Sequence, residues 1–214
     1  MKEYELYIFD FDGTLADTVR GIKNAVVYAL DHYGIKETDY KKLDAFIGPP
    51  LFESFKKLYG VSDERADELV AKYRERYKIT ASVESELYDG VVELLETLKS
   101  RGKTVAIASS KPRVFVDGIS QYHGIDKYYD YIAAETFANR HSSKKELIAE
   151  VLENFGVTDK SKAIMVGDRF YDIEGAVGAG IDSAGAVYGF GTEEELVNAG
   201  ATHILYSPLD LVNG

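Results

Sequence analysis

The chain has no cysteine among its 214 residues, which excludes disulfides, thiol nucleophiles and thiolate metal sites. Histidine is scarce too. His32, His123, His141 and His203 are dispersed, so a histidine-rich zinc centre is not expected. Cations are in short supply, with 25 Lys and Arg against 36 Asp and Glu and a formal net charge of −11. Such a chain lacks the clustered positive charge that displaces counterions from nucleic acid. No apolar run approaches the length needed to span a bilayer, and the N-terminus enters a strand-like run without the basic segment and apolar core of a signal peptide. The expectation is a cytoplasmic protein, a monomer or homodimer, that binds neither nucleic acid nor membrane. Internal repeats and low-complexity segments are absent as well.

What is present is ordinary globular material: 45% hydrophobic and 29% charged residues, in a chain long enough for a full core plus an insertion. Strand-like runs occur at residues 4–9, 104–108, 131–134, 163–166 and 183–187, with a weaker edge candidate at 203–205. Helical periodicity separates them, and alternating strand and helix predicts an α/β fold with a doubly wound parallel sheet. Between the first two strands the pattern changes. Val19, Ile22, Val26, Ala29, Leu30 and Tyr33 form one helical stripe, and Ala66, Leu69, Val70, Tyr73 and Tyr77 form another, with Ser62 placed as its N-cap. Gly48-Pro49-Pro50 breaks the chain between them, ahead of a short helix carrying Leu51, Phe52, Phe55 and Leu58. The prediction is a core of residues 1–16 and 88–214, with residues 17–87 inserted as an α-helical lobe without strands.

The chemistry concentrates at strand ends. Ile8-Phe9-Asp10-Phe11-Asp12-Gly13-Thr14 is an apolar run that delivers two carboxylates at spacing two, hence on one side of the strand. Together they repel unless a cation or a shared proton intervenes, which suits a divalent metal or an acid/base division of labour. Ala163-Ile164-Met165-Val166-Gly167-Asp168 is a second apolar strand ending in an acid, with Asp172 four residues on. Parallel strands present their carboxyl ends on one edge, so all four acids can converge. Ser109 and Ser110 follow a strand and precede a helix, where a hydroxyl can hold a phosphate or simply cap the helix. Ser143-Lys144-Lys145-Glu146 reads as a capping box. Lys144 shares the stripe of Leu147, Ile148, Val151, Leu152 and Phe155 and points inward, whereas Lys145 is rotated toward solvent. The glycines from Gly175 to Gly180 suit close helix packing and termination rather than dinucleotide binding.

These four segments, in this order, resemble the motifs of the haloacid dehalogenase superfamily: Asp10-x-Asp12-Gly13-Thr14, Ser109, Lys144, and Gly167-Asp168 with Asp172. Asp17-Thr18, Gly48-Pro49-Pro50, Ala108-Ser109-Ser110-Lys111-Pro112 and Gly167-Asp168-Arg169 are most similar to its phosphoglycolate phosphatase and 5′-nucleotidase-like branch, although Lys145 stands where many relatives have proline. The resemblance implies a Mg²⁺-dependent phosphatase acting on a small phosphorylated metabolite, 2-phosphoglycolate first and a nucleoside 5′-monophosphate second. It implies Asp10 as nucleophile, Asp12 as acid and base, and Gly13, Ser109, Ser110 and Lys144 around the phosphoryl group. It implies Mg²⁺ held by Asp10, the Asp12 carbonyl and Asp168, with Asp172 in support. The inserted lobe is the implied cap: Arg20 and Lys56 are candidates for a glycolate carboxylate, and Phe46, Phe52 and Phe55 for a nucleobase. A phosphomutase of the same fold and a non-catalytic phosphate-binding protein are the alternatives.

Overall fold

The computed structural model describes residues 2–136 and 143–213, so His141 lies outside the described residues. The chain divides into two compact units, residues 1–17 with 87–214 and residues 18–86, one residue beyond the predicted boundary at the first crossing and one before it at the second. In chain order the elements are β1 (Leu6–Phe9), β2 (Ala16–Asp17), α1 (Val19–His32), α2 (Leu51–Tyr59), α3 (Asp63–Thr80), β3 (Glu86–Leu87) and α4 (Val91–Ser100). They continue with β4 (Thr104–Pro112), α5 (Arg113–His123), β5 (Tyr131–Glu135), α6 (Lys144–Asn154), β6 (Ala163–Gly167), α7 (Phe170–Ala179), β7 (Asp182–Ala186), α8 (Glu193–Asn198) and β8 (His203–Leu205).

The first unit is a doubly wound sheet in the order β5-β4-β1-β6-β7-β8, every pairing parallel, with β8 at the predicted edge. β1 reads Leu-Tyr-Ile-Phe and is buried throughout, as a strand flanked on both sides and covered on both faces must be. The chain winds outward from β1 through β4 to β5, then returns to the far side of β1 to continue through β6, β7 and β8. The strand order therefore reverses beside β1, where Phe9 pairs with Ile107 on one side and Val166 on the other. Crevices for ligands open at the carboxyl ends of such reversals. Among the described residues no helix is long and apolar enough to cross a membrane.

Two local expectations are corrected. Residues 17–87 were expected to lack strands, but β2 and β3 pair with each other at the two ends of the insertion; elements of two residues carry too little alternation to register as periodicity. The strand expected to stop at Ala108 runs to Pro112, because Ser109 pairs with Ala134 and Pro112 with Glu135 across a register shift. Neither Ser109 nor Ser110 caps α5, whose preceding residue is Pro112.

The second unit is helical. α1 and α3 pack on each other, and the predicted stripe of α3 is buried throughout, Tyr73 stacking on Tyr77 at 5.2 Å. Ser62 caps α3, accepting from Arg65 N at 3.3 Å. Of the α1 stripe, Ile22, Val26, Ala29 and Leu30 are buried, while Val19 and Tyr33 at its ends are half-exposed. Glu84 ties the unit together by accepting from Arg76 Nη1 and Nη2, at 2.6 and 2.8 Å, and from Asn24.

Candidate functional site

Three strand ends of the core unit build the site. The Asp10 backbone N–H donates to Val166 O at 2.9 Å, continuing the β1–β6 ladder past its last residue pair. Adjacent parallel strands lie about 4.8 Å apart, so Asp10 and Asp168 leave neighbouring strands side by side. Asp172 enters from α7, and one carboxylate oxygen from each of Asp10, Asp168 and Asp172 lies within 4.8 Å of the others. Two glycines make this possible. A Cβ on Gly167 would collide with the Asp172 carboxyl, and one on Gly13, at φ 78°, would collide with the Asp168 carboxyl and the Phe190 ring.

Asp168 does not cap α7. Asp172 does, its Oδ2 accepting from Arg169 N at 3.0 Å while its Oδ1 pairs with Lys144 Nζ at 2.8 Å. Asp168 instead accepts from Phe190 N at 2.9 Å and from Thr14 Oγ1 at 3.2 Å.

Lys144 opens α6 within the capping box of Ser143 and Glu146. Its residue is buried, whereas Lys145 is exposed. Gly175 of α7 lets the two helices close up, since a Cβ there would stand 2.9 Å from Lys144 Cγ. The ammonium donates to Ala108 O at 2.9 Å and pairs with Asp10 Oδ1 at 2.9 Å and with Asp172 Oδ1. One N–H is thus spent on Ala108 O, while Asp10 and Asp172 face the ammonium as ion pairs. Lys144 thereby supplies the positive charge between two of the three clustered acids. Gly180, at φ 76°, ends α7, in keeping with the reading of the glycine run as packing and termination.

Electrostatics follow from burial. Desolvation of Asp168, reinforced by Asp172 and Asp10, pushes its carboxyl up to about 8. Burial likewise raises Asp172. Burial alone would lower Lys144, but Asp10 and Asp172 outweigh it and hold the ammonium above its ordinary value. With all three ionised, the carboxylates would outweigh the one ammonium by two negative charges, which a divalent cation would cancel. The all-oxygen donor set suits a hard ion.

Removing Lys144 should thus leave buried acids uncompensated. Lys144→Ala is expected to destabilise the metal-free protein by about 3–5 kcal/mol, and Lys145→Ala by no more than about 0.5 kcal/mol. Urea unfolding of the two variants checks this, and a larger loss for Lys145→Ala would overturn the assignment.

Asp12 goes elsewhere. Its Oδ2 pairs with Lys111 Nζ at 2.8 Å, and its Oδ1 is buried with no hydrogen-bond partner. Ser109 is buried, its Oγ accepting from Lys111 N at 3.3 Å, while Ser110 is exposed.

The structure thus brings together Asp10, Asp12, Gly13, Ser109, Lys144, Asp168 and Asp172 in the core unit. The remaining candidates belong to the helical unit. Arg20 donates to Val83 O at 3.1 Å and lies 3.7 Å from Glu86, and Lys56 pairs with Asp63 at 2.7 Å with its ammonium 5.3 Å from the Phe52 ring centroid. Phe46 and Phe55 do not offer the open faces a nucleobase platform needs. They are 2% and 0% exposed and meet edge to face at 4.8 Å, Phe46 from the turn at Lys42–Phe46 and Phe55 from the inner face of α2. Phe52 is partly exposed.

Sequence reasoning did not assign site roles to Lys111, Thr14 or the loop after β7. In that loop Tyr188 Oη donates to Thr14 O at 3.1 Å, and Gly189 and Gly191 pass so close to Asp168 that a Cβ on either would collide with it. Two glycines flanking Phe190 beyond a strand's carboxyl end were the available signal.

The profile described as haloacid dehalogenase-like hydrolase matches residues 7–186. A 5′-nucleotidase of Pseudomonas aeruginosa is 40% identical over 200 residues, 94% of this chain and 90% of its own length. The tyrosine-protein kinase PtkA of Mycobacterium tuberculosis is 30% identical over 95% of this chain and 69% of that protein. A solved Clostridium difficile structure superposes with a TM-score of 0.91 at 44% identity, covering 97% of this chain and 96% of that one.

Proposed function

The chain belongs to the haloacid dehalogenase-like hydrolases, and from that premise we propose that it is a Mg²⁺-dependent phosphatase of small phosphomonoesters working through an aspartyl phosphate on Asp10. The observation that carries this reading is the cluster of Asp10, Asp168 and Asp172, two of them paired with Lys144, with Asp12 held separately one residue beyond the nucleophile's neighbour. Asp10, the Asp12 carbonyl and Asp168 would hold Mg²⁺, with Asp172 in support. The ion, when bound, supplies charge neutralisation at the phosphoryl oxygens.

In the first step an Asp10 carboxylate oxygen bonds to phosphorus as the bond to the leaving oxygen breaks, and Asp12 gives that oxygen its proton. In the second, water bonds to phosphorus, its proton passes to Asp12, and the electron pair of the broken Asp10–phosphorus bond returns to the carboxylate. Ser109 and the backbone at Gly13 orient the phosphoryl group; Lys144 keeps the acid cluster from repelling it.

The identity with the P. aeruginosa 5′-nucleotidase supports nucleoside 5′-monophosphates ahead of 2-phosphoglycolate, with Phe52 as the partly exposed aromatic residue among the base-platform candidates. A panel of phosphorylated metabolites assayed for phosphate release tests the proposal. The expected result is release with Mg²⁺, loss with EDTA, and a higher kcat/KM for a nucleoside 5′-monophosphate than for 2-phosphoglycolate. Preference for a phosphoprotein or a long phosphosugar over both would overturn the substrate reading. Isomerised product without free phosphate would indicate a mutase.

The metal should compete with a proton. Because Asp168 is held up to about 8, against about 3.9 for an unfolded Asp, the metal-free fold binds the extra proton between those values. Its stability should therefore fall as pH rises from about 4 toward 8. Mg²⁺ affinity should rise with pH by up to about tenfold per unit below 8, one proton being displaced per ion. Titration calorimetry in buffers of different ionisation enthalpy reads that proton directly, and pH-independent affinity between pH 6 and 8 would contradict it.

A further inference from the structure

Lys111 is a buried cation with no role in the scheme above. It owes its direction to the irregularity in β4: between the pairs Ser109–Ala134 and Pro112–Glu135 the ladder shifts register, Ser110 turns out to solvent, and Lys111 turns in. Its side chain is 5% exposed. The Ser109 hydroxyl accepts its backbone N–H, and its ammonium holds Asp12 Oδ2 at 2.8 Å. Lys144 takes Asp10 and Asp172, so the two carboxylates of the first motif are held by different lysines. With one oxygen of Asp12 held, the other, Oδ1, is buried and without a hydrogen-bond partner. A buried acceptor left unpaired is costly unless a reacting group fills it.

We propose that Lys111 is a positioning residue for the second half-reaction, fixing Asp12 by Oδ2 so that Oδ1 receives the proton of the water that hydrolyses the aspartyl phosphate. The inference rests on the covalent reading given under Proposed function. In this step the water oxygen bonds to phosphorus, the bond from phosphorus to the Asp10 oxygen breaks with its electron pair returning to Asp10, and the water proton goes to Asp12 Oδ1. In this role Lys111 acts through the carboxylate it orients.

This role has a kinetic signature that a substrate-binding cation does not share. Slowing only the second step of a two-step reaction lowers kcat and KM together and leaves kcat/KM unchanged, whereas loss of a substrate contact raises KM. With p-nitrophenyl phosphate as substrate, Lys111→Met is expected to lower kcat and KM in parallel by about 10–100-fold, the lower part of the range for general acid–base catalysis. A burst of about one p-nitrophenolate per site should precede the slow steady state. Lys111→Arg, which keeps a cation on a similar stem, should recover most of the loss. In an Asp12→Asn background, Lys111→Met should cost nothing further.

A raised KM with reduced kcat/KM, or an undiminished cost in the Asp12→Asn background, would overturn the positioning role. If Lys111→Met fails to fold, Lys111→Arg and Lys111→Gln carry the same comparison, and equal rates in those two would overturn it. Full turnover by Asp10→Asn would instead remove the covalent reading, and this inference with it. A wild-type-like Lys111→Met in an enzyme that forms the aspartyl phosphate would remove this inference alone.

Discussion

Asp10→Asn is expected to abolish turnover, by about 10⁴-fold or more, on whichever phosphomonoester proves the best substrate. The amide keeps the shape of the side chain but has no anionic oxygen to bond to phosphorus, and removal of a covalent nucleophile is among the largest single losses an enzyme shows. The fold should tolerate it. Asp10 is one of two carboxylates on Lys144, so Asp172 and Ala108 O still hold the ammonium. Neutralising Asp10 also removes one of the charges that raise Asp168, so that carboxyl should ionise at lower pH in the variant. Steady-state kinetics and acid-quench trapping of phosphorylated protein check both sides. Wild-type turnover, or a phosphoenzyme still formed by the variant, would end the covalent scheme.

Asp12→Ala is expected to cost roughly 10² to 10⁴ in kcat, the scale of a positioned acid and base. The loss should depend on the leaving group. An alkyl phosphomonoester needs its departing oxygen protonated, whereas p-nitrophenolate leaves readily without help, so the first step should suffer more for the alkyl ester. Metal affinity should change little, because the proposed Asp12 ligand is its backbone carbonyl. Equal loss of kcat/KM on both substrates would assign Asp12 a role other than acid. A large drop in Mg²⁺ affinity would place its carboxylate on the ion.

The acids were legible because they sit where local pattern ends. An apolar strand of four buried residues followed by Asp10, and one of five followed by Asp168, are read directly from the chain. The rule that parallel strands share an edge then brings the two together. Lys144 was legible for a similar reason, since helical spacing alone separates it from Lys145. The two units were legible from the switch between strand-and-helix alternation and helix alone.

Contacts between distant segments were not legible, because periodicity is a local property and pairing is not. Lys111 and Asp12 are 99 residues apart, and only a register shift within β4 turns the lysine inward. The loop carrying Phe190 reaches Asp168 across 22 residues, through two glycines whose missing side chains matter only once the backbones meet. Phe46 and Phe55 illustrate the converse. Their spacing marked them as apolar, but whether an apolar ring faces a ligand or another ring depends on what packs against it, and here each packs against the other. The sequence by itself determined the order of the six core strands and the placing of Asp10, Asp168 and Lys144, because these follow from the side-chain periods of strand and helix. Tertiary structure alone decided which lysine neutralises which acid, because a charge finds its partner by proximity in space after the strands have assembled.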